Sequence, residues 1–415
     1  MVPIRHSGAG VVPVRIRHSP GRRRDRRLRM AGGPGGAQSE EIAMTTFQRT
    51  VESFQQGTLT MPAEQYVSPA VFAEEVDRIG HKEWHCVGRT ERIAKPGDFF
   101  LRTLAGEPLI ILRDRHGQAR AHFNVCRHRG TQICEKESGH FSETIQCPYH
   151  AWTYSTDGRL IGAPHMQDTV GFAKADYGLH QARVAEWEGF VFVNLDPNAA
   201  PFEEVFAPMI GRLARFGLAN LTIGRRVSYD INSNWKLVFQ NYSECLHCPT
   251  IHPELNCKLP YTSGANDLVE GRYLGGYMEL TEGNDSVTMS GRPCARPIAD
   301  LSVADRRRAY YYTLMPNLML SIHSDYVNYY MMWPVSAERC TVESEWLFHP
   351  DAFGDPAFNP EDAVAMWDIT NRQDWHITEQ SLIGIKSRRY QPGPFSARES
   401  IPAAWDRAYL AMMGR

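Results

Sequence analysis

The sequence predicts an α+β protein in which a small all-β domain is followed by a larger mixed domain. Two observations carry this prediction. From Phe47 to about Pro201, short apolar runs alternate with turn residues, which is typical of strands. After Pro201 apolar residues recur at three- and four-residue spacing, which is typical of helices. A chain of 415 residues is long enough for two domains that each bury a core.

The strands of the first half are recognised by the turns between them. Leu109–Arg113 is followed by the turn sequence Asp114-Arg-His-Gly117 and then by Ala119–Asn124, which predicts a hairpin. Tyr154–Leu160 repeats the pattern with Asp-Gly at its turn. Phe190–Leu195 is a further apolar strand. The loops of such a domain could hold a cofactor.

The second half opens with a helix signal. Asn234–His247 carries Trp235, Val238 and Tyr242 on one helical face, and Pro249 then ends the pattern. A single helix is therefore predicted from residue 234 to residue 247.

A strand and a long helix are predicted nearer the end of the chain. Tyr326–Pro334 is strand-like and aromatic. Asn359, followed by a proline and two acidic residues, is a strong helix start. The helix can run to about Ser387, because Pro392 and Pro394 stop the pattern beyond it.

Composition narrows the class of protein. A net charge of −2 favours neither nucleic acid nor an anionic membrane as a partner, and no apolar run approaches the ~18 residues of a membrane span. The nine cysteines are scattered through a large chain, so reduced or metal-bound thiols are expected rather than a disulfide framework. A reducing compartment follows, and we expect the cytoplasm.

The first 43 residues differ from the rest. They hold nine arginines against three acids, with a Gly/Pro-rich run at 31–37, which predicts disorder. An organelle-targeting segment has this composition, but we prefer an over-extended start with Met44 as the true first residue. The predicted domains are then residues 44–205 and 206–415.

Two pairs of metal-binding side chains stand out in the first half: Cys126 with His128, and Cys147 with His150. Each pair follows a predicted strand, so each could form one loop that grips a cluster. Two thiolates suit one iron of a sulfide-bridged pair. Two neutral imidazoles on the other iron would raise the reduction potential above that of an all-cysteine cluster.

A structural zinc site and chance placement among sixteen histidines are the alternatives, but zinc sites normally pair Cys with Cys and His with His. The flanking sequences at 124–130 and 146–154 closely resemble the two Rieske boxes of ring-hydroxylating oxygenases. The resemblance implies that the four residues bind a [2Fe–2S] cluster. Trp152 is expected to pack beside it, and Cys134 to be a packed or surface thiol.

A second constellation follows in the second half. On the predicted helix Asn241, Glu244 and His247 share a face, and His252 follows the proline break. Two imidazoles and one carboxylate form the ligand set of oxygen-activating Fe(II) enzymes.

This segment resembles the mononuclear-iron box of Rieske oxygenases, including those that act on choline, glycine betaine and carnitine. The resemblance implies that His247 and His252 bind Fe(II). It also implies that Glu244, where aromatic-ring dioxygenases usually have Asp, links this iron to a Rieske histidine of a neighbouring subunit. Asn241 is a further catalytic candidate.

The carboxylate ligand is sought on the late helix, where the family has it. Asp374 fits that place, and Asp368 and Glu379 point elsewhere on the helix. For a lone mid-helix aspartate a solvated face is the alternative interpretation. Cys245 and Cys248, a Cys-x-x-Cys spacing, are interpreted as packing around the iron helix, since no second pair completes a zinc site.

The resemblance covers residues 50–400 and implies a Rieske β-domain followed by a helix-grip catalytic domain with an antiparallel sheet. No nicotinamide or flavin fingerprint occurs, so electrons from NAD(P)H are expected through a separate reductase or ferredoxin. The family also implies a homotrimer. Electrons would pass from a Rieske histidine through Glu244 to His247 beside O₂ and substrate.

The substrate is predicted from an aromatic-rich second domain, with Tyr326, Tyr330 and Trp333 as candidate contacts. The aromatic residues of this domain that could contact a substrate are Tyr273, Tyr277, Tyr310, Tyr311, Tyr312, Tyr326, Tyr329, Tyr330 and Trp333. Such rings could bind a quaternary ammonium, stack on a flat substrate or only fill the sheet's core. N-demethylation of a glycine betaine-like compound is the leading hypothesis. Ring dioxygenation of an aromatic acid and a non-catalytic electron-transfer protein are the alternatives.

Overall fold

The structure is a computed structural model, and it describes residue 55, residues 57–268 and residues 271–415. The Arg-rich segment 1–43 and the proposed start at Met44 lie outside the described residues. The described chain begins with two short helices, α1 (Glu64–Val67) and α2 (Pro69–Glu75), which continue into a π-helical turn at Val76–Gly80. Ser68 caps α2 by accepting a hydrogen bond from the Val71 amide.

The first half is built from ten strands in the described residues. They are β1 (His85–Arg89), β2 (Asp98–Leu104), β3 (Glu107–Arg113), β4 (Ala119–Phe123), β5 (Ser138–His140), β6 (Thr144–Gln146), β7 (Thr153–Ser155), β8 (Leu160–Gly162), β9 (Gln181–Trp187) and β10 (Phe190–Asn194). Seven of them form an antiparallel sheet in the order β1-β10-β9-β4-β3-β2-β5. The other three form a small sheet, β6-β7-β8. Both predicted hairpins, β3–β4 and β7–β8, are confirmed.

The second half contains a seven-stranded antiparallel sheet within the part of the chain that is described. Its strands are β11 (Thr222–Ile231), β12 (Ala265–Leu268), β13 (Tyr273–Glu279), β14 (Arg308–Leu314), β15 (Leu318–Ile322), β16 (Val327–Ser336) and β17 (Arg339–Phe348). They run in the order β11-β17-β16-β15-β14-β13-β12. The strands from β12 to β17 pair in sequence order, with a long connection at residues 280–307 between β13 and β14, and β17 then pairs with β11. The predicted α+β class is confirmed.

The helices of this half are α3 (Phe202–Val205), α4 (Trp235–Tyr242), α5 (Cys248–Ile251), α6 (Pro253–Asn256), α7 (Val303–Arg306), α8 (Glu361–Ile385) and α9 (Ser400–Met412). Helices α4, α5, α6, α8 and α9 cover one face of the second sheet, whereas α3 and α7 lie on the side of the other face. Trp235, Leu382 and Trp405, from α4, α8 and α9, share one core with the sheet. On the other face the two halves of the chain meet, as in the edge-to-face contact of Phe190 with Tyr329 at 5.0 Å. The division at residues 205/206 stays a prediction; it lies between β10 and β11.

Helix α4 begins where predicted and ends earlier. The Asn234 side chain accepts a hydrogen bond from the Lys236 amide at 2.9 Å, which caps the first turn. The predicted extension to His247 is wrong, because the helix ends at Tyr242. The Ser243 hydroxyl bonds back to the Phe239 carbonyl at 2.6 Å, and such local side-chain bonds compete with helix propagation.

A buried ion pair anchors α4. Lys236 Nζ and Glu75 Oε1 lie 2.5 Å apart, and both side chains are almost fully buried. The Glu75 carboxylate also accepts hydrogen bonds from Trp235 Nε1 at 2.8 Å and from the Tyr409 hydroxyl at 2.7 Å. A buried charge of this kind is tolerated only when it is paired and hydrogen-bonded. The pair therefore fixes α4 against α2 and α9.

The helix start that was predicted at Asn359 is confirmed by helix α8. The Asn359 side chain accepts from the Glu361 amide at 3.3 Å, and the helix runs to Ile385. The predicted strand at Tyr326–Pro334 is also confirmed as β16. None of the helices in the described residues is both long and apolar enough to cross a membrane.

Candidate metal centres

The two Cys/His pairs of the first half lie on a matched pair of loops. One loop follows β4, and the other joins β6 to β7. In each, the amide four residues after the cysteine bonds back to its carbonyl: Gly130 to Cys126 at 3.0 Å and Ala151 to Cys147 at 3.2 Å. Gly130 and Ala151 both have left-handed backbone, with φ of 74° and 53°. The two loops are thus repeats of one tight turn that projects a Cys and a His.

The structure brings all four side chains together. Cys126 and Cys147 are buried at 3% and 2% exposure, and burial together with the neighbouring Cys126 thiol raises the pKa of Cys147. The rings of His128 and His150 lie 4.7 Å apart. The predicted packing of Trp152 is confirmed, because its ring stacks on His128 at 4.8 Å.

The donor set fits a Rieske cluster. His128 Nδ1 is buried and has no hydrogen-bond partner among the residues that the structure describes. A buried ring nitrogen without a partner is costly unless it has another role, such as metal ligation. Two clustered thiols and two clustered imidazoles are the mixed ligand set of a Rieske [2Fe–2S] centre.

Tyr154 joins the two loops, a role that its sequence context did not predict. Its hydroxyl accepts a hydrogen bond from the Arg127 amide at 3.1 Å and lies 3.3 Å from Cys126 Sγ. Tyr154 is the last residue of the segment 146–154, which resembles the second Rieske box. Cys134 is partly buried, with its thiol 3.8 Å from the Lys136 carbonyl oxygen, consistent with the expected packed or surface thiol.

The second constellation converges on one carboxylate. Asp374 Oδ1 lies 2.7 Å from His252 Nε2 and 3.4 Å from His247 Nε2. These three side chains come from different segments: the turn before α5, the junction of α5 and α6, and the middle of α8. The remaining ring nitrogens are also held, His252 Nδ1 by Gln373 at 2.7 Å and His247 Nδ1 by Glu244 at 2.6 Å.

The competing acids on α8 lie elsewhere. Asp368 accepts a hydrogen bond from Tyr229 at 2.8 Å and pairs with Arg372. Glu379 accepts from the Asn232 amide at 3.0 Å. The geometry therefore favours Asp374, the residue that the family resemblance suggested.

The electrostatics of the triad favour a bound cation. Burial alone would lower the pKa of His247, but hydrogen bonds to Asp374 and Glu244 outweigh it and raise the pKa to about 10. Burial opposes the charge of Asp374 as well, yet its contacts with both imidazoles hold its pKa below the ordinary value. Two imidazoles and one carboxylate that meet in this way are the open-faced ligand set of Fe(II), and a metal bound there would displace the protons that these contacts favour.

Two amide side chains lie next to the histidines of the triad. Gln373 precedes Asp374 on α8 and orients the His252 ring, a role that sequence reasoning missed because a glutamine on a helix carries no special signal. Asn241 Nδ2 lies 3.5 Å from His247 Nε2, so this predicted residue does reach the site.

Cys245 and Cys248 form a disulfide, which corrects the interpretation of both as simple packing residues. Their Cα atoms are 5.0 Å apart, within the range that a disulfide requires. The expectation that the cysteines are reduced or metal-bound is wrong for this pair. The other seven cysteines lie free in the described residues.

A cavity with a free volume of about 160 Å³ opens beside the triad. His247, His252 and Asp374 all contribute to its wall. Its aromatic lining consists of Tyr242, Tyr261, Tyr277, Tyr311 and Trp367.

The three aromatic candidates for substrate contact do not line this cavity, which corrects their selection. Tyr326 is fully buried and donates to the Val287 carbonyl at 2.5 Å. Tyr330 is packed into the core between the sheet and the helices. Trp333 lies under the Arg102 guanidinium, 4.7 Å from its ring centre. Tyr330 lies on the helix side of the sheet, but behind the lining, with its ring 5.9 Å from that of the lining residue Tyr242.

Known proteins share both halves of the chain. Residues 83–181 match the family described as Rieske [2Fe-2S] domain. Residues 218–415 match the family described as Ring hydroxylating alpha subunit (catalytic domain).

Similar curated proteins span most of their length and most of this chain. The glycine betaine monooxygenase oxygenase subunit of Chromohalobacter salexigens is 31% identical over 370 residues, which cover 82% of each chain. The same subunit from Pseudomonas aeruginosa is 29% identical over 82% of this chain and 85% of its own. The carnitine monooxygenase oxygenase subunit of Escherichia coli K12 is 27% identical over 80% and 86%.

Solved structures share the fold. The quaternary ammonium Rieske monooxygenase CntA, in complex with an inhibitor, superposes with a TM-score of 0.74 at 25% identity, over 86% of this chain and 96% of that one. Naphthalene 1,2-dioxygenase from Rhodococcus, at 21% identity and a TM-score of 0.70, shows the same fold over 85% and 94%. The matched domains and the 31% identical relative show that this chain belongs to the Rieske oxygenases, as an oxidoreductase of the ring-hydroxylating α-subunit family.

Proposed function

We propose that this chain is the terminal oxygenase of a monooxygenase that hydroxylates an N-methyl group of a small quaternary ammonium compound resembling glycine betaine. The observation that carries the proposal is the aromatic-lined cavity that opens directly on His247, His252 and Asp374. Aromatic faces attract quaternary ammonium groups by cation–π interaction, worth about 0.5–2 kcal/mol per contact. The names of the similar glycine betaine and carnitine monooxygenases agree with this substrate class.

The size of the cavity supports a small substrate. Its free volume of about 160 Å³ is below the roughly 300–1,000 Å³ that is usual for drug-sized ligands. Hydroxylation of an N-methyl group would release formaldehyde and leave the demethylated amine.

The proposed ligands follow from the geometry above. Cys126, His128, Cys147 and His150 would hold the [2Fe–2S] cluster. His247, His252 and Asp374 would hold Fe(II). When bound, the cluster supplies single electrons and the iron supplies the place where O₂ is activated beside the substrate.

Glu244 is proposed to connect the two centres. One carboxylate oxygen holds His247 Nδ1, and the other accepts a hydrogen bond from the Leu246 amide. These contacts fix the His247 ring so that Nε2 faces Asp374. We propose that Glu244 meets a Rieske histidine of a neighbouring subunit in a homotrimer, and that a separate reductase or ferredoxin supplies electrons from NAD(P)H. We also propose a cytoplasmic location, since a reducing compartment suits the cysteines that are free in the described residues besides the two proposed cluster ligands.

The test is a coupled assay with the iron-loaded protein and an electron-donating reductase. Glycine betaine and benzoate are compared side by side, with formaldehyde and NAD(P)H consumption measured together. Formaldehyde released from glycine betaine in proportion to NAD(P)H use supports the proposal. Product from benzoate alone would overturn it and favour ring hydroxylation of an aromatic acid.

The non-catalytic alternative is tested in the same preparation. The reduced protein should show the EPR signal of low average g that marks a Rieske cluster. A protein with this signal but no turnover of any substrate would act only in electron transfer.

A further inference from the structure

The lining of the cavity beside the triad contains a single Lys or Arg side chain among the described residues, Arg398. The two carboxylates of the lining, Glu244 and Asp374, are already bound to His247 and His252. Among the described residues, the exposed Arg398 is therefore the one permanently charged cation of this wall, and it has no counter-charge inside the cavity.

The guanidinium of Arg398 is free to bind an anion. Its Cζ lies 5.5 Å from the ring centre of Tyr261, and within the described part of the chain it makes no ion pair. The adjacent Glu399 is not available to it, because the Glu399 carboxylate accepts a hydrogen bond from the Ser396 amide at 2.7 Å and closes a capping box. This turn, at Ala397–Glu399, holds the base of the Arg398 side chain in place.

A separate part of the lining offers aromatic faces and no cation. The rings of Tyr242 and Tyr311 meet at 6.3 Å, and those of Tyr311 and Trp367 also at 6.3 Å. The polar ends of two of these rings are used elsewhere: Tyr242 donates to the Leu320 carbonyl at 2.7 Å, and Trp367 Nε1 donates to Tyr326 at 2.7 Å. These three residues are called the aromatic corner below. In the described residues neither Tyr261 nor Arg398 makes a ring contact with it.

We infer that Arg398 binds a carboxylate of the substrate, so that the substrate is a zwitterion with its quaternary ammonium at the aromatic corner. The inference rests on the proposed function and narrows its substrate class. A guanidinium offers a planar pair of donors that matches a carboxylate, and such charge-assisted bonds are the stronger ones. Choline has the same cationic end and a neutral hydroxymethyl group in place of the carboxylate, so Arg398 discriminates against it.

The test uses the iron-loaded enzyme with glycine betaine and choline as paired probes. Equilibrium binding of both compounds is measured by calorimetry, and KM and kcat for glycine betaine are measured with a reductase. The wild type is expected to bind glycine betaine about tenfold more tightly than choline or better, because one charge-assisted bond is lost with choline.

Arg398→Gln should remove this preference. Its KM for glycine betaine should rise about tenfold with kcat changed little, while its choline binding stays the same. Arg398→Lys keeps the charge without the planar fork and should restore part of the preference. Arg388→Gln is the matched control, since Arg388 is exposed and outside the cavity lining. Visible and EPR spectra of the cluster check that each variant is folded and loaded.

The outcomes separate the two claims. If glycine betaine is demethylated and Arg398→Gln keeps the preference over choline, the role of Arg398 is overturned and the proposed function stands. Equal loss of both ligands in Arg398→Gln would show a structural role only and overturn it likewise. If the wild type neither binds nor demethylates glycine betaine, the proposed function fails, and the inference fails with it.

Discussion

The Glu244 carboxylate and the His247 imidazole are joined by a hydrogen bond of 2.6 Å between Oε1 and Nδ1. This contact sets which nitrogen of His247 faces Asp374. It also places an acid within one bond of a proposed iron ligand, at the position where the proposed function needs a connection between two metal centres. Since partners of metal ligands tune both affinity and activity, Glu244 is the most informative residue to change.

Replacing Glu244 by glutamine keeps a hydrogen-bonding side chain and removes the charge. Turnover is expected to fall about 10–100-fold, the usual effect of losing a partner of a metal ligand. The Rieske EPR signal should be unchanged. Glu254→Gln, an exposed acid on α6, is the control and should keep full turnover. Full activity in Glu244→Gln would remove Glu244 from the connection.

Replacing Asp374 by alanine should remove the mononuclear iron and leave the iron–sulfur cluster in place. Iron content is expected to fall from about three to about two atoms per chain, with the cluster retained, because a carboxylate ligand is lost from the mononuclear site only. Metal analysis and EPR on the same sample measure both. Asp368→Ala is the matched control on the same helix, since Asp368 binds Tyr229 and Arg372 instead. Iron loss in the control and not in Asp374→Ala would reassign the ligand.

Tyr154→Phe should make the cluster easier to oxidise. Its hydroxyl, 3.3 Å from Cys126 Sγ, can donate to a thiolate ligand, and hydrogen bonds to the sulfurs raise the reduction potential. A bond worth about 0.5–1.5 kcal/mol corresponds to a drop of about 20–65 mV for one electron. An EPR-monitored redox titration measures it. Tyr177→Phe is the control, since Tyr177 packs against Trp152 rather than a cysteine; equal shifts in both variants would contradict the role of the hydrogen bond.

Asp406 on α9 should make stability depend on pH. Burial raises its pKa from 3.8 to about 7, and Oδ2 has no hydrogen-bond partner among the described residues. A pKa raised by folding means that the folded state holds the proton more tightly. The contribution of protonated Asp406 to the free energy of unfolding is therefore complete below about pH 4, and it is lost as the pH rises to about 7.

Asp406→Asn removes this titration and can still accept the hydrogen bond from Gln240. When the pH is raised from 5 to 8, the free energy of unfolding of the variant should rise by about 2–3 kcal/mol relative to that of the wild type. Urea unfolding at the two pH values measures it. Asp300→Asn, at a fully exposed aspartate, serves as the control and should show no such change. A constant difference between Asp406→Asn and the wild type would contradict the prediction.

The Cys245–Cys248 disulfide predicts a thiol count. Protein unfolded with a chelator and no reductant should titrate seven thiols, and nine after reduction, since nine cysteines less two in the disulfide leave seven. Cys245→Ser should then titrate eight without reductant. Nine thiols in the unreduced wild type would show that the pair is reduced in solution.

Sequence alone was sufficient where the chemistry is local. The four proposed cluster ligands lie within 25 residues, on loops next to short strands. Their spacing in the sequence was therefore enough to predict that they lie together. The cap at Asn359 predicted α8 for the same reason, because a helix start depends on a few adjacent residues. The residues proposed for the second metal were also named from sequence, His247 and His252 from one box and Asp374 from the family resemblance.

Tertiary structure decided what depends on distant contacts. Asp374 lies 122 residues from His252, and only the packing of α8 against α4 shows that the two side chains meet. The aromatic lining was decided in the same way. Neighbouring residues on β14 point to opposite faces, so Tyr311 reaches the cavity while Tyr310 and Tyr312 fill the core on the other side. Strand alternation in a sequence separates two faces, and only the folded sheet determines which of them meets the cavity and which meets the core.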